Sequence, residues 1–73
     1  MERQERALRS YAAYEAKRNA AGLRNAQVAR AAGVPASCIY DWKQGSYTPK
    51  YEKLQKIAEV VGSTVTEIME GGE

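Results

Sequence analysis

Several residue types that carry chemistry are scarce or missing in this chain. The 73 residues include no His, a single Cys (Cys38) and a single Asp (Asp41). Metal sites built from Cys and His are excluded by count, and a lone Cys excludes an internal disulfide framework. The sequence also lacks a glycine-rich phosphate loop and a pair of carboxylates at a catalytic spacing. We therefore expect neither an enzyme nor a bound cofactor.

Long apolar runs are absent too. No stretch approaches the roughly 20 apolar residues that cross a bilayer, and the N-terminal segment lacks the apolar part of a signal peptide. The composition, 44% hydrophobic and 27% charged, is typical of a soluble globular chain, and 73 residues permit one domain with a small core. We expect a cytoplasmic protein with no membrane partner. That length leaves no room for a ligand-sensing domain, so no small-molecule ligand is expected.

Positive charge is concentrated in the middle of the chain, although the net charge is only +2. Up to Ala16, three Arg balance three Glu. From Lys17 to Lys56, eight Lys or Arg oppose only Asp41 and Glu52, and the four Glu after that are unopposed. A basic middle segment is what a phosphate-facing surface requires. The alternative is that these are ordinary solvated charges on helix surfaces.

The pattern of residues 25–44 predicts two short helices joined by a tight turn. Gly33 can adopt the left-handed backbone that ends a helix, and Pro35 suits the first turn of the next helix, which we place at residues 35–44. The inward face of the first helix comprises Ala26, Val28, Ala29 and Ala32. In the second helix, Ile39 and Trp42 share the buried face, and Val34 leads into it. Ala36, Ser37, Tyr40, Asp41 and Gln44 face outward.

This ordered spacing resembles the phage-repressor and Cro-like (xenobiotic-response-element-type) family of helix-turn-helix DNA-binding proteins. The matching residues are Ala29, Gly33, Ile39 and Trp42, followed by Gly45 and Pro49 in the next loop and by LQKIAEVVGSTVTEIM at residues 54–69. The resemblance covers roughly residues 14–69. It implies an all-α fold: a compact five-helix domain of the lambda-repressor type, here residues 1–70, followed by a disordered tail at residues 71–73.

The first helix is predicted at residues 1–21, with Gly22 after its end. Its inward stripe comprises Leu8, Tyr11, Ala12 and Tyr14. It begins earlier than the first helix of the family usually does. We interpret residues 1–13 as a helical extension without its own activity, the alternatives being a frayed terminus or an interaction arm.

The remaining helices are predicted from capping residues and apolar stripes. Thr48 and Pro49 predict the start of a helix at residues 49–61, whose buried residues are Leu54, Ile57, Ala58 and Val61. Thr64 and Glu67 form a capping box for the last short helix, whose apolar side consists of Val65, Ile68 and Met69.

The resemblance implies that the second helix of the pair enters the major groove of double-stranded DNA. Base-reading roles are carried over to Ala36, Ser37, Tyr40 and Asp41. Ser37 can exchange hydrogen bonds with a base, Ala36 can pack on a thymine methyl, and Asp41 can accept from cytosine. An acid is also repelled by phosphates, so Asp41 can select against wrong sequences.

Phosphate contacts are expected from the residues that flank the groove. They are Arg24, Asn25, Lys43, Gln44, Ser46, Tyr47, Thr48 and Lys50. Asn25 stands where the family usually has a Gln that contacts a phosphate, and a simple N-cap role is an equally good interpretation. For Tyr47, the alternative is an aromatic ring that lies over the domain edge.

Two residues depart from the family pattern. The family commonly pairs an Arg in the first helix with a Glu in the third, whereas this chain has Arg18 and Lys43. Either Arg18 finds another acid, such as Glu15 or Asp41, or Lys43 turns towards DNA, which is the interpretation we prefer. Cys38 stands where a small hydroxyl residue is usual; a redox-sensing thiol at the DNA face is the less favoured interpretation.

The sequence thus predicts a stand-alone, sequence-specific transcriptional regulator of repressor or Cro type. One small unit makes few base contacts, so we expect a homodimer on a pseudo-palindromic operator. Met69, Ile68 and Val65 are the candidate dimer contacts, and Met69 is the preferred one because the other two also suit the core. The alternative function is a protein-interaction module of the same fold, such as an antitoxin-like or anti-regulator component.

Overall fold

A computed structural model describes residues 3–70 of the chain, and within these residues it contains five helices and no strand. The helices are α1 (Arg3–Ala20), α2 (Asn25–Ala32), α3 (Ala36–Lys43), α4 (Tyr51–Val60) and α5 (Val65–Glu70). The all-α, five-helix prediction is confirmed. The expected disordered tail at residues 71–73 and the first two residues of the N-terminal extension lie outside the described residues.

The helices enclose one small core. α1 contacts α3 and α5, α2 contacts α3 and α4, and α4 contacts α5. The molecule measures 30 × 22 × 20 Å along its principal axes. The buried apolar residues are Ala7, Tyr11, Tyr14, Val28, Ala29, Ala32, Val34, Cys38, Ile39, Trp42, Leu54, Ile57, Ala58, Val61 and Ile68. None of the described helices is both long and apolar enough to cross a membrane.

The buried face of α1 differs from the predicted one. Ala7 and Ser10 are buried together with Tyr11 and Tyr14, which is the 3- and 4-residue spacing of one helix face. Leu8 is 45% exposed and Ala12 is also exposed, so their assignment to the inward stripe was wrong. The prediction gave weight to the apolar character of Leu8, whereas the position on the helix decides which side chains the core receives.

Corrections are also needed at helix starts and in α2. Pro35 has extended backbone (ψ 141°) and precedes α3 as its N-cap, and Lys50 (ψ 163°) does the same for α4. α4 therefore begins at Tyr51, two residues after the predicted start at Pro49. Pro49 is buried in the loop. In α2, Ala26 is exposed rather than inward, because the tight packing against α3 and α4 uses only the face formed by Val28, Ala29 and Ala32.

The predicted apolar stripe of α4 and the capping box of α5 are confirmed. Leu54, Ile57, Ala58 and Val61 are all at most 5% exposed. At the start of α5, the Glu67 N–H donates to the Thr64 hydroxyl (3.1 Å), and the Thr64 N–H donates to the Glu67 carboxylate (3.1 Å). These reciprocal bonds satisfy two donors that a helix start leaves unpaired.

Candidate nucleic-acid interface

The turn between α2 and α3 sets the angle at which α3 crosses the domain. Gly33 has a left-handed backbone (φ 72°), a conformation that costs residues with a side chain more than it costs glycine. The next residue, Val34, donates its N–H to the Ala29 carbonyl (3.0 Å) and buries its side chain. This closes α2 and directs the chain straight into α3.

α3 is divided sharply into a buried face and an exposed face. Trp42 and Ile39 are 0% and 1% exposed, and Cys38 beside them is also buried. Ala36, Ser37, Tyr40 and Asp41, the four predicted base-reading residues, are all exposed, with Tyr40 at 60%. Lys43 and Gln44, at the end of the helix, are exposed as well. The helix thus presents small and polar side chains together with the Tyr40 ring to the outside, and its opposite face is buried in the core.

Aromatic packing and one buried hydrogen bond anchor α3 against α1. The Trp42 indole N–H donates to the Ser10 hydroxyl at 2.9 Å, inside the core. The Trp42 ring lies edge-on to Tyr11 (5.5 Å between ring centroids) and tilted against Tyr14 (4.9 Å). Such aromatic pairs contribute about 0.5–1.5 kcal/mol beyond the area they bury. Trp42 is therefore a core residue, as predicted.

Cys38 lies on the inward side of α3. Its side chain is only 6% exposed, and it is a free thiol. A redox sensor must be reached by its oxidant, and a buried thiol in apolar surroundings is inert. The structure therefore contradicts the interpretation of Cys38 as a sensor at the outer face.

Asn25, at the start of α2, is held by side chains of α1. Its Oδ1 accepts from the Tyr14 hydroxyl (2.7 Å) and from the Arg18 guanidinium (2.8 Å), and its Nδ2 donates to the Tyr11 hydroxyl (2.9 Å). Asn25 is the first residue of α2, and Arg24 is the N-cap, so the N-cap prediction for Asn25 was wrong. The amide therefore joins α1 to the start of α2.

Arg24 caps α2 in an exposed position. Its own N–H donates to the Gln27 side chain (2.8 Å), which fixes the backbone as the chain enters the helix. The guanidinium is free to extend from a helix start, where the peptide dipoles favour negative charge. Among the predicted phosphate contacts, the cations Arg24, Lys43 and Lys50 are all exposed.

Of the two alternatives for the missing Arg–Glu pair, the one in which Arg18 finds the acid Glu15 is confirmed, and the orientation of Lys43 towards DNA stays a prediction. Arg18 lies 3.8 Å from the Glu15 carboxylate and also donates to Asn19 (2.9 Å). Lys43 is exposed. Within residues 3–70, the Arg18 Nε is buried without a hydrogen-bond partner. One donor of the guanidinium is therefore left unsatisfied.

The loop after α3 continues the exposed surface. Ser46 donates both its N–H and its hydroxyl to the Asp41 carbonyl (3.1 Å each), so a contact from this hydroxyl to a phosphate would compete with an internal bond. Tyr47 and Thr48 are half-buried, and Lys50 is exposed. The Lys53 ammonium lies 6.0 Å from the centre of the Tyr47 ring. Tyr47 thus partly covers the domain edge while its side chain remains accessible.

The predicted dimer contacts separate into a core residue and two accessible ones. Ile68 is fully buried, so the structure places it in the interior of its own chain. Val65 and Met69 pack against the core but stay half-exposed. They remain candidates for contact with a second copy.

Two ionisable groups have pKa values that the fold changes. Burial raises the pKa of Tyr14 to about 12, although the nearby Arg18 acts in the opposite direction. The hydroxyl of Ser63, the backbone of Thr64 and the ammonium of Lys17 lower the pKa of Glu67. Lys17 lies 3.6 Å from the Glu67 carboxylate, which links α1 to α5. Tyr14 belongs to α1 and Glu67 to α5, so neither group lies on α3.

Comparison with known proteins gives the class of this molecule. Two short helices joined at a left-handed glycine, with a polar outer face on the second helix, define a helix-turn-helix domain. A family model described as helix-turn-helix matches residues 15–68. The chain belongs to this helix-turn-helix family, of Cro/C1 type, whose members are DNA-binding regulators. This confirms the resemblance found in the sequence. No curated protein and no solved structure matched the chain.

Proposed function

We propose that the chain is a sequence-specific regulator of transcription, of repressor or Cro type, that inserts α3 into the major groove of double-stranded DNA. The observation that supports this proposal is the separation of α3 into a buried face and an exposed face. Its inward residues Ile39 and Trp42 are fully anchored, so the outward residues can be pressed against a duplex without loss of core contacts. An α-helix fits the major groove, where base edges distinguish all four base pairs.

Ala36 and Ser37 occupy the N-terminal turn of α3, which leads into the groove in helix-turn-helix proteins. Tyr40 and Asp41 follow one turn later and would reach a neighbouring base or phosphate. Arg24 and the first N–H groups of α2 would bind phosphate on one side of the groove. Phosphate on the other side of the groove would be bound by Lys43, Gln44, Tyr47, Thr48 and Lys50. Ser46 and Asn25 would contribute mainly by holding the backbone in place.

We further propose that the chain acts as a homodimer on a pseudo-palindromic site. The half-exposed Met69 and Val65, at one end of the domain, support a contact between two copies. Two copies would place their α3 helices about one helical turn of DNA apart.

Fluorescence anisotropy with a random duplex at several salt concentrations tests DNA binding. About 5 phosphate contacts per protomer give a log–log slope of affinity against salt near −4 to −5. Selection of bound sites from randomised duplexes then tests sequence reading, and a two-fold symmetric motif supports the homodimer.

The second candidate is a protein-interaction module of the same fold. The observation that favours it is Asp41, an exposed carboxylate on the outer face of α3 that forms no ion pair with any residue in 3–70. A flat response to salt and no enriched motif would favour this candidate over DNA binding.

A further inference from the structure

The N-terminal turns of α1 lie against the loop that leaves α3, outside the part of the chain that the family model covers. The match begins at residue 15, whereas this contact is made by Gln4 and Leu8. Gly45, at the end of α3, is buried beneath them. A methyl group placed on Gly45 would lie only 3.0 Å from the Gln4 Cγ and 3.1 Å from the Leu8 Cγ. Because Gly45 has no side chain, α1 approaches this loop directly.

A surface cavity of about 480 Å³ lies beside this contact. One wall is the first turn of α1, with Arg3, Gln4 and Arg6. The other wall is the loop of residues 45–48, and Met69 closes one side. The cavity therefore borders the same loop that the proposed function places next to the phosphates flanking the groove.

Arg3 and Arg6 bring positive charge to this cavity. They are three residues apart, so they emerge from the same face of α1, and both are exposed. Within residues 3–70, neither Arg3 nor Arg6 takes part in an ion pair. Arg9, by contrast, does not line the cavity, and it lies 3.5 Å from the Glu5 carboxylate.

The opposite wall contributes hydroxyl groups, which can also bind phosphate oxygens. Tyr47 and Thr48 carry hydroxyls, and Ser46 lies beside them. Guanidinium groups and hydroxyls that converge on one cavity match the oxygens of a phosphate diester, which Arg binds with two parallel hydrogen bonds.

We propose that Arg3 and Arg6 bind the DNA backbone next to the end of α3, so that the N-terminal extension enlarges the phosphate-binding surface. This departs from our expectation that residues 1–13 have no activity of their own. It rests on the proposed function, because the bound phosphate belongs to the duplex in which α3 lies. The site contributes affinity and register but reads no bases.

Charge-removing variants test this site. Arg3→Gln and Arg6→Gln should each reduce the magnitude of the log–log salt slope by about 0.9 and weaken binding about five- to tenfold at 0.1 M salt. The loss should be the same on random duplex and on a selected site. Arg9→Gln removes the same charge from an arginine of α1 that does not line the cavity, so it is the control, for which we expect less than half of either effect. Arg3→Lys and Arg6→Lys retain the charge and should restore the slope.

The outcomes separate this proposal from the one on which it rests. A flat salt response of the unchanged protein would refute DNA binding itself. A steep response that Arg3→Gln, Arg6→Gln and Arg9→Gln all alter equally would refute only the N-terminal site. If Arg3→Gln and Arg6→Gln instead change self-association in sedimentation experiments and leave the slope intact, the cavity is a contact between copies, and the phosphate site is refuted.

Discussion

The Trp42 indole and the Ser10 hydroxyl, 32 positions apart in sequence, form a buried hydrogen bond of 2.9 Å that joins α3 to α1. The Ser10 hydroxyl in turn donates to carbonyls of its own helix, those of Arg6 (2.9 Å) and Ala7 (3.1 Å). A single small polar residue therefore connects the backbone of α1 to the largest side chain of the core. A buried donor without its partner costs about 1–3 kcal/mol.

We expect Ser10→Ala to lower the free energy of unfolding by about 1–3 kcal/mol, because it leaves the Trp42 N–H unpaired. Urea denaturation followed by fluorescence measures this. In a Trp42→Phe background no indole N–H remains, so Ser10→Ala should cost clearly less there. Equal costs in both backgrounds would mean that the hydrogen bond contributes nothing to stability.

Asn25→Ala should lower the free energy of unfolding by about 2–3 kcal/mol, since it leaves the partly buried groups of Tyr11, Tyr14 and Arg18 without their shared partner. Asn19→Ala is the matched control, because Asn19 accepts from Arg18 in an exposed position. We expect that control to change stability by less than about 0.5 kcal/mol. Similar effects of the two variants would show that the Asn25 amide is not a structural hub.

Tyr14 makes stability depend on pH in the alkaline range. Burial raises the pKa of its phenol to about 12, while the unfolded chain titrates near the ordinary value of 10.0. Below pH 10 both states keep the proton, and the contribution of Tyr14 to stability is fully present. Between pH 10 and about 12 only the unfolded state loses it, so the free energy of unfolding falls as pH rises, by up to about 1.4 kcal/mol per pH unit.

Urea denaturation at pH values from about 8.5 to 11.5 checks this dependence. Tyr14→Phe lacks the ionisable group and should show a shallower fall, even though it begins from a lower stability. The difference between the two proteins isolates the contribution of the Tyr14 phenol. Parallel curves for the two proteins would rule out a raised pKa at Tyr14.

Gly45→Ala should destabilise the fold more than Gly33→Ala. Both glycines have a left-handed backbone, with φ 82° and 72°, so both substitutions carry the backbone cost of about 1 kcal/mol. Only at Gly45 would the new methyl press on Gln4 and Leu8, whereas nothing lies within 4 Å at Gly33. The difference between the two unfolding free energies measures how firmly α1 rests on the loop. No difference would indicate that the N-terminal turn moves aside freely.

Ser37→Ala combined with Asp41→Ala should change which sequences are bound while leaving stability within about 0.5 kcal/mol, because both side chains are exposed. Each lost base contact should reduce discrimination at one position by about 1–3 kcal/mol. Lys43→Gln is the comparison, and it should weaken binding uniformly across sequences. Site selection with the three proteins measures both effects; a uniform loss from the double variant would show that Ser37 and Asp41 do not read bases.

The sequence alone predicted the parts of the fold that depend on local spacing. Ile39 and Trp42, three residues apart, identified the buried face of α3, and Gly33 marked the end of α2 because few other residues tolerate its backbone. The four exposed residues of α3 followed from the same periodicity. Their contacts with bases stay predictions, since they depend on a partner outside the chain.

Long-range polar contacts could not be predicted in this way. Burial of Ser10 depends on a Trp 32 residues away, and the role of Asn25 depends on three α1 side chains that meet it only in the folded molecule. Leu8 misled the prediction because its apolar character outweighed its position. The position of Arg3 and Arg6 beside the loop of residues 45–48 could not be predicted from the sequence, because it arises from the packing of α1 against Gly45.

Side chains of α1 form hydrogen bonds with both Asn25 and Trp42. Because one helix fixes the start of α2 and the body of α3, the spacing between Arg24 and the outer face of α3 is preorganised. A rigid span of this kind sacrifices little conformational entropy when it docks. Under the proposed function, such a fixed spacing would favour duplexes whose groove matches it, so binding would depend on the local shape and stiffness of DNA as well as on base identity.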